Sequence, residues 1–327
     1  MNSVLVTGAA GFLGSALLED LRSCGYRVRA LVRAESALWG EMREDAVVGD
    51  VRDVSCVRSA VAGCDSIVHL AGQAHAIDDE GVSEEDYLSI NVEGTRRLLD
   101  AAKSGGAQKF VFASTVKVFG ETTVGCVDET APPAPRTPYA RSKWLAEQLV
   151  ASASGGVFAT VSLRCPLVYG PTQKGNLFRM IAAIDRGQFP PLPRVSTVRS
   201  MLHVNNFVSA VKAALESKVF LKPMYVIADL KPYSISEIYD RLRQGLGKQL
   251  PLVRVPAWTL SVGARCGDFV QTLTNRSFPF SSSTLEKLIG QAWYSPEAAM
   301  RDLGYQPAYT FDSAVPDLIE HYRRSIA

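Results

Sequence analysis

The sequence is short of the residues that build metal and disulfide sites. Its six cysteines (Cys24, Cys56, Cys64, Cys126, Cys165 and Cys266) form no CxxC pair and share no ligand spacing with the four histidines. They read as small buried hydrophobes of a reducing compartment, and no metal is expected. Neither sign of charge dominates: 35 Lys and Arg stand against 33 Asp and Glu, scattered along the chain, for a net charge of +2. That excludes the clustered basic surface of a nucleic-acid binder. No apolar run reaches the ~18 residues of a membrane span. Met1-Asn2-Ser3 leads straight into the strand-like Val4-Leu5-Val6 without a signal-peptide pattern. The expectation is a cytoplasmic protein with no nucleic-acid partner and no membrane span. Repeats and low-complexity tracts are missing too, so 327 residues make one large domain, or a large and a small one.

What is present is a regular alternation. Strand-like runs occur at Val4–Thr7, Arg27–Val32, Ala46–Gly49, Ser66–Leu70, Phe110–Ala113 and Val157–Leu163, separated by helical patterns such as Phe12–Ser23 and Val92–Lys103. Strands that are apolar along their whole length, alternating with helices, imply a parallel sheet covered on both faces: a doubly wound α/β fold of the Rossmann type. After about residue 170 the rhythm breaks at Gly170-Pro171 and Phe189-Pro190-Pro191-Leu192-Pro193. The division this predicts is interleaved. Residues 1–170 with about 201–228 form the dinucleotide-binding part; 171–200 and 229–327 form a smaller substrate-binding part.

Thr7-Gly8-Ala9-Ala10-Gly11-Phe12-Leu13-Gly14 joins the first strand to the first helix. Glycines here allow a tight turn and let a pyrophosphate approach the backbone N–H groups of Ala10, Gly11, Phe12 and Leu13 at the positive helix end. The spacing is GxxGxxG, and a plain strand-to-helix turn is the bland alternative. The second strand, which in such folds ends on an acid that binds the adenosine ribose, ends here on Leu31-Val32-Arg33. A guanidinium forks onto a 2′-phosphate that a carboxylate would repel, so NADP is favoured, with NAD also possible; the alternative for Arg33 is a surface cation. Asp50 and Val51 close the third strand and Leu70, Ala71 and Gly72 the fourth, at the strand ends where ligands of open α/β sheets bind.

Tyr139-Ala140-Arg141-Ser142-Lys143 puts a phenol and an ammonium one turn apart on one helical face. A neighbouring ammonium lowers a phenol from its reference of about 10 and readies it for proton transfer. About one strand–helix unit earlier, Phe112-Ala113-Ser114-Thr115 supplies hydroxyls at the same sheet edge. A glycine turn, a hydroxyl at a strand end and a Tyr/Lys pair, in that order, are more specific together than any is alone.

With these residues the chain resembles the extended short-chain dehydrogenase/reductases, in the nucleotide-sugar branch that contains UDP-galactose 4-epimerase. The likeness is strongest from Val4 to Gly170. The resemblance implies that Thr115, Tyr139 and Lys143 are catalytic, with Ser114 beside them. It implies that Asn91, on the central helix, and Pro166 border the cofactor. Asn176-Leu177 and Arg199 would hold a sugar-nucleotide diphosphate, and Lys117 would reach the sugar or point to solvent. Two departures narrow the choice. Val116-Lys117 stands where the 4,6-dehydratases carry Asp-Glu, and Leu167 where many members carry asparagine. Ser114-Thr115-Val116-Lys117-Val118 with Lys174-Gly175-Asn176 is similar to bacterial reductases of UDP-4-keto-6-deoxy-N-acetylhexosamine that serve surface polysaccharide synthesis. The leading expectation is therefore NADPH-dependent reduction of such a 4-keto sugar. A UDP-hexose 4-epimerase, an aromatic-ketone or sterol-type reductase, and an NADP-binding regulator without turnover are the alternatives. By resemblance the chain is expected to pair as a homodimer. His75 has a place near the sugar or in solvent, His203 is read as structural, and Trp39, Trp144, Trp258 and Trp293 as packing.

Overall fold

In a computed structural model, residues 2–35, 45–73, 82–173, 175–256, 258–262, 264–265, 268 and 282–326 are described. Seven parallel strands make the central sheet: β1 (Ser3–Thr7), β2 (Arg27–Val32), β3 (Ala46–Val48), β4 (Ser66–His69), β5 (Lys109–Thr115), β7 (Ala159–Cys165) and β10 (Met224–Val226). Their order is β10-β7-β5-β4-β1-β2-β3; outside this sheet β6 (Cys126–Val127) pairs with β11 (Trp293–Tyr294), and β8 (Leu167–Tyr169) with β9 (Met201–His203). From β1 the chain moves outward through β2 to β3, then returns to lay β4 on the other side of β1. The order reverses between β1 and β4, and in open α/β sheets that reversal opens the ligand crevice at the strand C-termini.

The pleat sorts the apolar side chains to two faces. Val4 and Val6 join the cluster under α1 (Phe12–Ser23) and α7 (Val204–Glu216), with Leu17, Leu18, Phe207 and Val211. Leu5 points the opposite way, with Phe110 and Phe112, into the cluster under α2 (Val54–Val61), α4 (Gly94–Ser104) and α5 (Pro138–Ala153). Each such side chain stabilises the fold by roughly 1.5–3 kcal/mol on burial, which is why strands two-sidedly buried read as unbroken apolar runs. The unassuming Met224–Val226 segment becomes an edge strand because Tyr225 and Val226 are wholly buried beside β7.

A separate cluster joins α6 (Asn176–Asp185), α8 (Ile235–Gly245) and the helix Phe311–Ile326 through Ile181, Ile184, Tyr239, Leu242, Leu318 and Tyr322. Residues 297–305, which the sequence groups with this region, go back to the sheet: Ala299, Leu303 and Tyr305 pack in the α1/α7 cluster. Buried Asp229 is a junction, accepting from Tyr169 Oη at 2.8 Å, His203 N at 2.9 Å and Asn206 Nδ2 at 2.6 Å. His203 also caps α7, its Nδ1 accepting from Asn205 N. Among the described residues no helix is long and apolar enough to cross a membrane.

Candidate active site

The turn after β1 is shaped by contacts that leave no room for a side chain. Gly8 has φ +67°, and a Cβ there would stand 2.7 Å from Ala71 N. At Gly14 a Cβ would meet Gly8 O at 2.3 Å, so the third glycine lets α1 sit against the turn. Gly11 caps α1 with no side-chain hydrogen bond of its own, which leaves the helix N-terminus suited to an anion.

Behind this turn a buried chain of hydrogen bonds joins β1, β4 and the central helix. Ala71 N–H donates to Thr7 Oγ1 at 3.1 Å, and Thr95 Oγ1 donates to Asn91 O at 2.6 Å. Between them His69 bonds Thr7 Oγ1 through Nδ1 at 2.7 Å and Thr95 Oγ1 through Nε2 at 3.0 Å. The two fixed ends order the protons: Thr7 donates to Nδ1, and Nε2–H donates to Thr95. Burial, aided by Lys143, holds His69 neutral down to about 3. Asn91 lies in a π-helical turn, Leu88–Glu93. Its Oδ1 accepts from Gln73 N at 2.8 Å, and its Nδ2 donates to Gln73 O at 3.1 Å and Ser142 Oγ at 2.9 Å. The side chain that resemblance places beside the cofactor thus ties the Gly72–Gln73 loop to α5.

The candidate acid–base group comes together at the ends of β5 and β7. Thr137 caps α5 by accepting from Ala140 N, and Pro138 occupies its first turn, so Tyr139 and Lys143 share the face toward the sheet. Thr115 ends β5 and is hydrogen-bonded to the Tyr139 phenol; Thr115 Oγ1 also accepts from Lys117 N at 3.3 Å. Burial pushes Tyr139 up to about 12, against the lowering effect of Thr115. In the protein by itself desolvation decides the phenol's state, and the group that opposes it is the threonine hydroxyl, not the ammonium. Lys143 lies 4.2 Å from the Phe112 ring centre, and burial lowers it to about 8. Ser114 is turned away from the site and donates to Glu147. Ser114 shares the α5 side of β5 with Phe110 and Phe112 and is taken up by Glu147 inside the core, whereas Thr115 stands at the open end of the strand, where it reaches the phenol. Cys165, the register partner of Thr115, is buried beside them, its thiol pushed up to about 12 by burial, and buried Pro166 follows.

Other sequence candidates fall at the margins. Arg33 is exposed. Asp50 holds Arg52 in a fork, 2.9 Å to Nε and 2.9 Å to Nη2, and Arg52 with Arg33 nearby keeps its carboxyl below the usual range. Val51 packs under the central helix, where a Cβ on Gly94 would strike it at 2.8 Å. On the opposite side Lys117 pairs with Glu121 at 3.8 Å, and Arg199 donates to Gly290 O at 2.7 Å. Tyr294 and Glu121 both bear on the Arg199 guanidinium, which burial lowers. Asn176 and Leu177 open α6 and line a small recess with Leu167, Thr172 and Leu318; Arg199 is not part of that lining. His75, Trp39, Cys266 and Lys174 lie outside the described residues.

The residues present fit a dinucleotide laid across the β1/β4 crevice. A Cβ on Gly72 would come within 2.8 Å of Asn91 Oδ1 and 3.8 Å of Lys143 Nζ, so its absence keeps open the approach to a buried ammonium. Among the described residues no carboxylate pairs with that ammonium. Doubly wound sheet, glycine turn and tyrosine–lysine pair together define an enzyme that works on a nicotinamide cofactor. Comparison with known proteins agrees. The profile of the NAD dependent epimerase/dehydratase family matches residues 4–228, and the chain belongs to this family; it is an NAD(P)-dependent enzyme. It is 26% identical over 323 residues to an N-acetyl-alpha-D-glucosaminyl-diphospho-ditrans,octacis-undecaprenol 4-epimerase of Escherichia coli O157:H7, covering 98% of this chain and 95% of that one. A UDP-glucose 4-epimerase of Vibrio cholerae is 31% identical over 307 residues, 90% of this chain and 91% of its own. Among solved structures, MoeE5 in complex with UDP-glucuronic acid and NAD superposes with a TM-score of 0.76 at 24% identity, over 99% of this chain and 100% of that one, a likeness of fold.

Proposed function

We propose that the protein carries out hydride chemistry at C4 of a nucleotide-linked sugar, and that its reaction is the NADPH-dependent reduction of a UDP-4-keto-6-deoxy-N-acetylhexosamine for surface polysaccharide synthesis. The observation that carries the reading is the Tyr139–Thr115 hydrogen bond beside Lys143 at the C-terminal ends of β5 and β7. A bound nicotinamide would supply the hydride. Gly8 to Gly14 would take its pyrophosphate, Lys143 a ribose hydroxyl, and Arg33 the 2′-phosphate. The chain's own part is the proton. A phenol pushed up to about 12 is protonated at neutral pH, so Tyr139 is set to donate to the oxygen that develops charge at C4, while Thr115 donates to the same oxygen and steadies it. Arg199, with Asn176 and Leu177, would anchor the diphosphate. Binding energy spent so far from the reacting carbon holds the ketone in line for attack. In this division residues 1–170 with about 201–228 would serve the cofactor, and 171–200 with 229–327, apart from 297–305 packed on the sheet, the sugar.

A 4-epimerase is the second reading, favoured because two relatives bear that activity in their names. The two reactions share the hydride step and differ in its bookkeeping: an epimerase returns the hydride, whereas a reductase consumes its cofactor. Arg33, with no acid at the end of β2, supports the consuming, NADP-linked reading. Incubation with NADPH and UDP-4-keto-6-deoxy-GlcNAc tests it by loss of the NADPH absorbance. Interconversion of UDP-GlcNAc and UDP-GalNAc without net cofactor change would replace it by epimerisation. Turnover of an aromatic or steroid ketone that UDP does not inhibit would remove the nucleotide sugar from the account.

A further inference from the structure

One face of α5 carries Tyr139, Lys143 and Glu147 in succession, each a helical turn beyond the last. Glu147 lies deepest. Its side chain and that of Arg164 are each 4% exposed. The carboxylate accepts from Arg164 Nη2 at 2.6 Å and Nε at 3.0 Å, and from the Ser114 hydroxyl. Ser114 and Arg164 are register partners on β5 and β7, each one residue before the pair Thr115 and Cys165 that floors the site. One buried carboxylate therefore ties α5 to both strands directly behind the reacting groups. Arg164 extends the link: its guanidinium lies 4.4 Å from the Phe119 ring centre, in the turn that follows Thr115, and its Nη1 is buried without a partner among the described residues.

We infer that Glu147 is a positioning residue for the acid–base pair: it clamps α5 to β5 and β7 so that Tyr139 and Thr115 stay within hydrogen-bond reach, and it sets a buried carboxylate one helical turn behind the Lys143 ammonium. The inference rests on the reading of Tyr139 and Lys143 as that pair. Apolar side chains could hold a helix to a sheet as firmly, since a buried ion pair must first overcome the desolvation of both charges. What apolar packing lacks is a field. The groups facing Lys143 are Tyr139 and Glu147 on α5, Cys165 on β7 with Arg164 beyond it, His69 on β4 and the Phe112 ring on β5. Burial holds Tyr139, Cys165 and His69 in their uncharged forms at neutral pH. Among the described residues this leaves Glu147 as the anion that opposes the desolvation of Lys143.

The experiment follows the Lys143 ammonium in the whole protein without substrate, by NMR of isotope-labelled lysine with Lys143→Met to assign the signal. In Glu147→Gln the titration midpoint of Lys143 falls by about one pH unit or more, as expected when a facing opposite charge is lost. Removing one partner leaves Arg164 buried and uncompensated, so the double variant Glu147→Gln/Arg164→Met, which takes out both charges, is measured beside it. There the midpoint still lies below that of the wild type, with native circular dichroism, and a Lys143 midpoint unmoved in the folded double variant overturns the inference. On whichever ketosugar the wild type turns over, the same variant lowers kcat with little change in KM and moves the basic limb of the pH profile down with the NMR midpoint; a rise in KM alone also overturns it. Absence of turnover by the wild type on every nucleotide sugar would sink the proposed function, while the substrate-free titration would still decide the role of Glu147.

Discussion

At the ends of β4, β5 and β7 the polar side chains are locked to one another inside the core: Thr7 to His69, His69 to Thr95, Asn91 to Ser142, Thr115 to Tyr139, Ser114 to Glu147. Around the rim, Lys117, Arg199 and Asn176 are partly or fully exposed; Lys117 pairs with Glu121 four residues on, and Arg199 donates to Gly290 O in a distant loop. The floor spends its hydrogen bonds on orientation, because a proton can be passed only between groups already aligned. The rim leaves its side chains partly open, where they can meet a ligand. One part is built to hold geometry, the other to gain contacts, and substitutions should separate them.

The largest effect is expected at the floor. Tyr139→Phe removes the proton donor and should lower kcat by about 10²–10⁴ with KM little changed; rates equal to wild type would take Tyr139 out of the mechanism. At the rim the pattern should invert. Arg199→Ala should raise KM for the nucleotide sugar by about tenfold or more while kcat holds, and a loss of thermal stability with KM intact would make Arg199 structural instead. Arg33→Ala should weaken NADP by about tenfold or more while leaving NAD nearly as it was, read by fluorescence titration of the cofactors; equal losses for both would remove the 2′-phosphate from the argument.

The smallest effect is expected in the hidden part of the floor. His69 titrates at about 3 in the fold, against 6.5 unfolded. Below pH 6.5 the unfolded chain binds the proton first, so the stability that neutral His69 contributes is whole above pH 6.5 and is lost as pH falls toward 3. His69→Gln should flatten that acid slope by about 1 kcal/mol per pH unit, measured by urea unfolding across the range. An unchanged slope would mean that His69 is not held neutral by its neighbours.

Much of this was legible from local pattern. The parallel sheet follows from runs such as Val4-Leu5-Val6 that have no polar face, and the Tyr139/Lys143 pair from an i, i+4 spacing that any helix puts on one side. Glu147 continues that spacing by one more turn and was passed over, because a carboxylate on a helix reads as a solvated face until a buried arginine is known to oppose it. Ser114 and Thr115, interchangeable on paper, were separated by depth: Ser114 meets Glu147 inside the core, and Thr115 reaches the phenol at the strand end. The burial of Tyr139 and Lys143 was hidden for a similar reason: adjacency along a helix is visible in the sequence, but depth is not, and depth sets the desolvation that governs both groups in the protein by itself.

Short-range periodicity and the placing of glycines were enough to decide the fold class and to single out the glycine turn and the proposed proton-transfer pair, since backbone geometry ties those features to residues a few positions apart. The protonation states, the partner of each hydroxyl and the clamp behind the site came only with the folded chain. They depend on which distant strands meet, Ser114 beside Arg164 and Thr115 beside Cys165, and on how far from water that meeting leaves them.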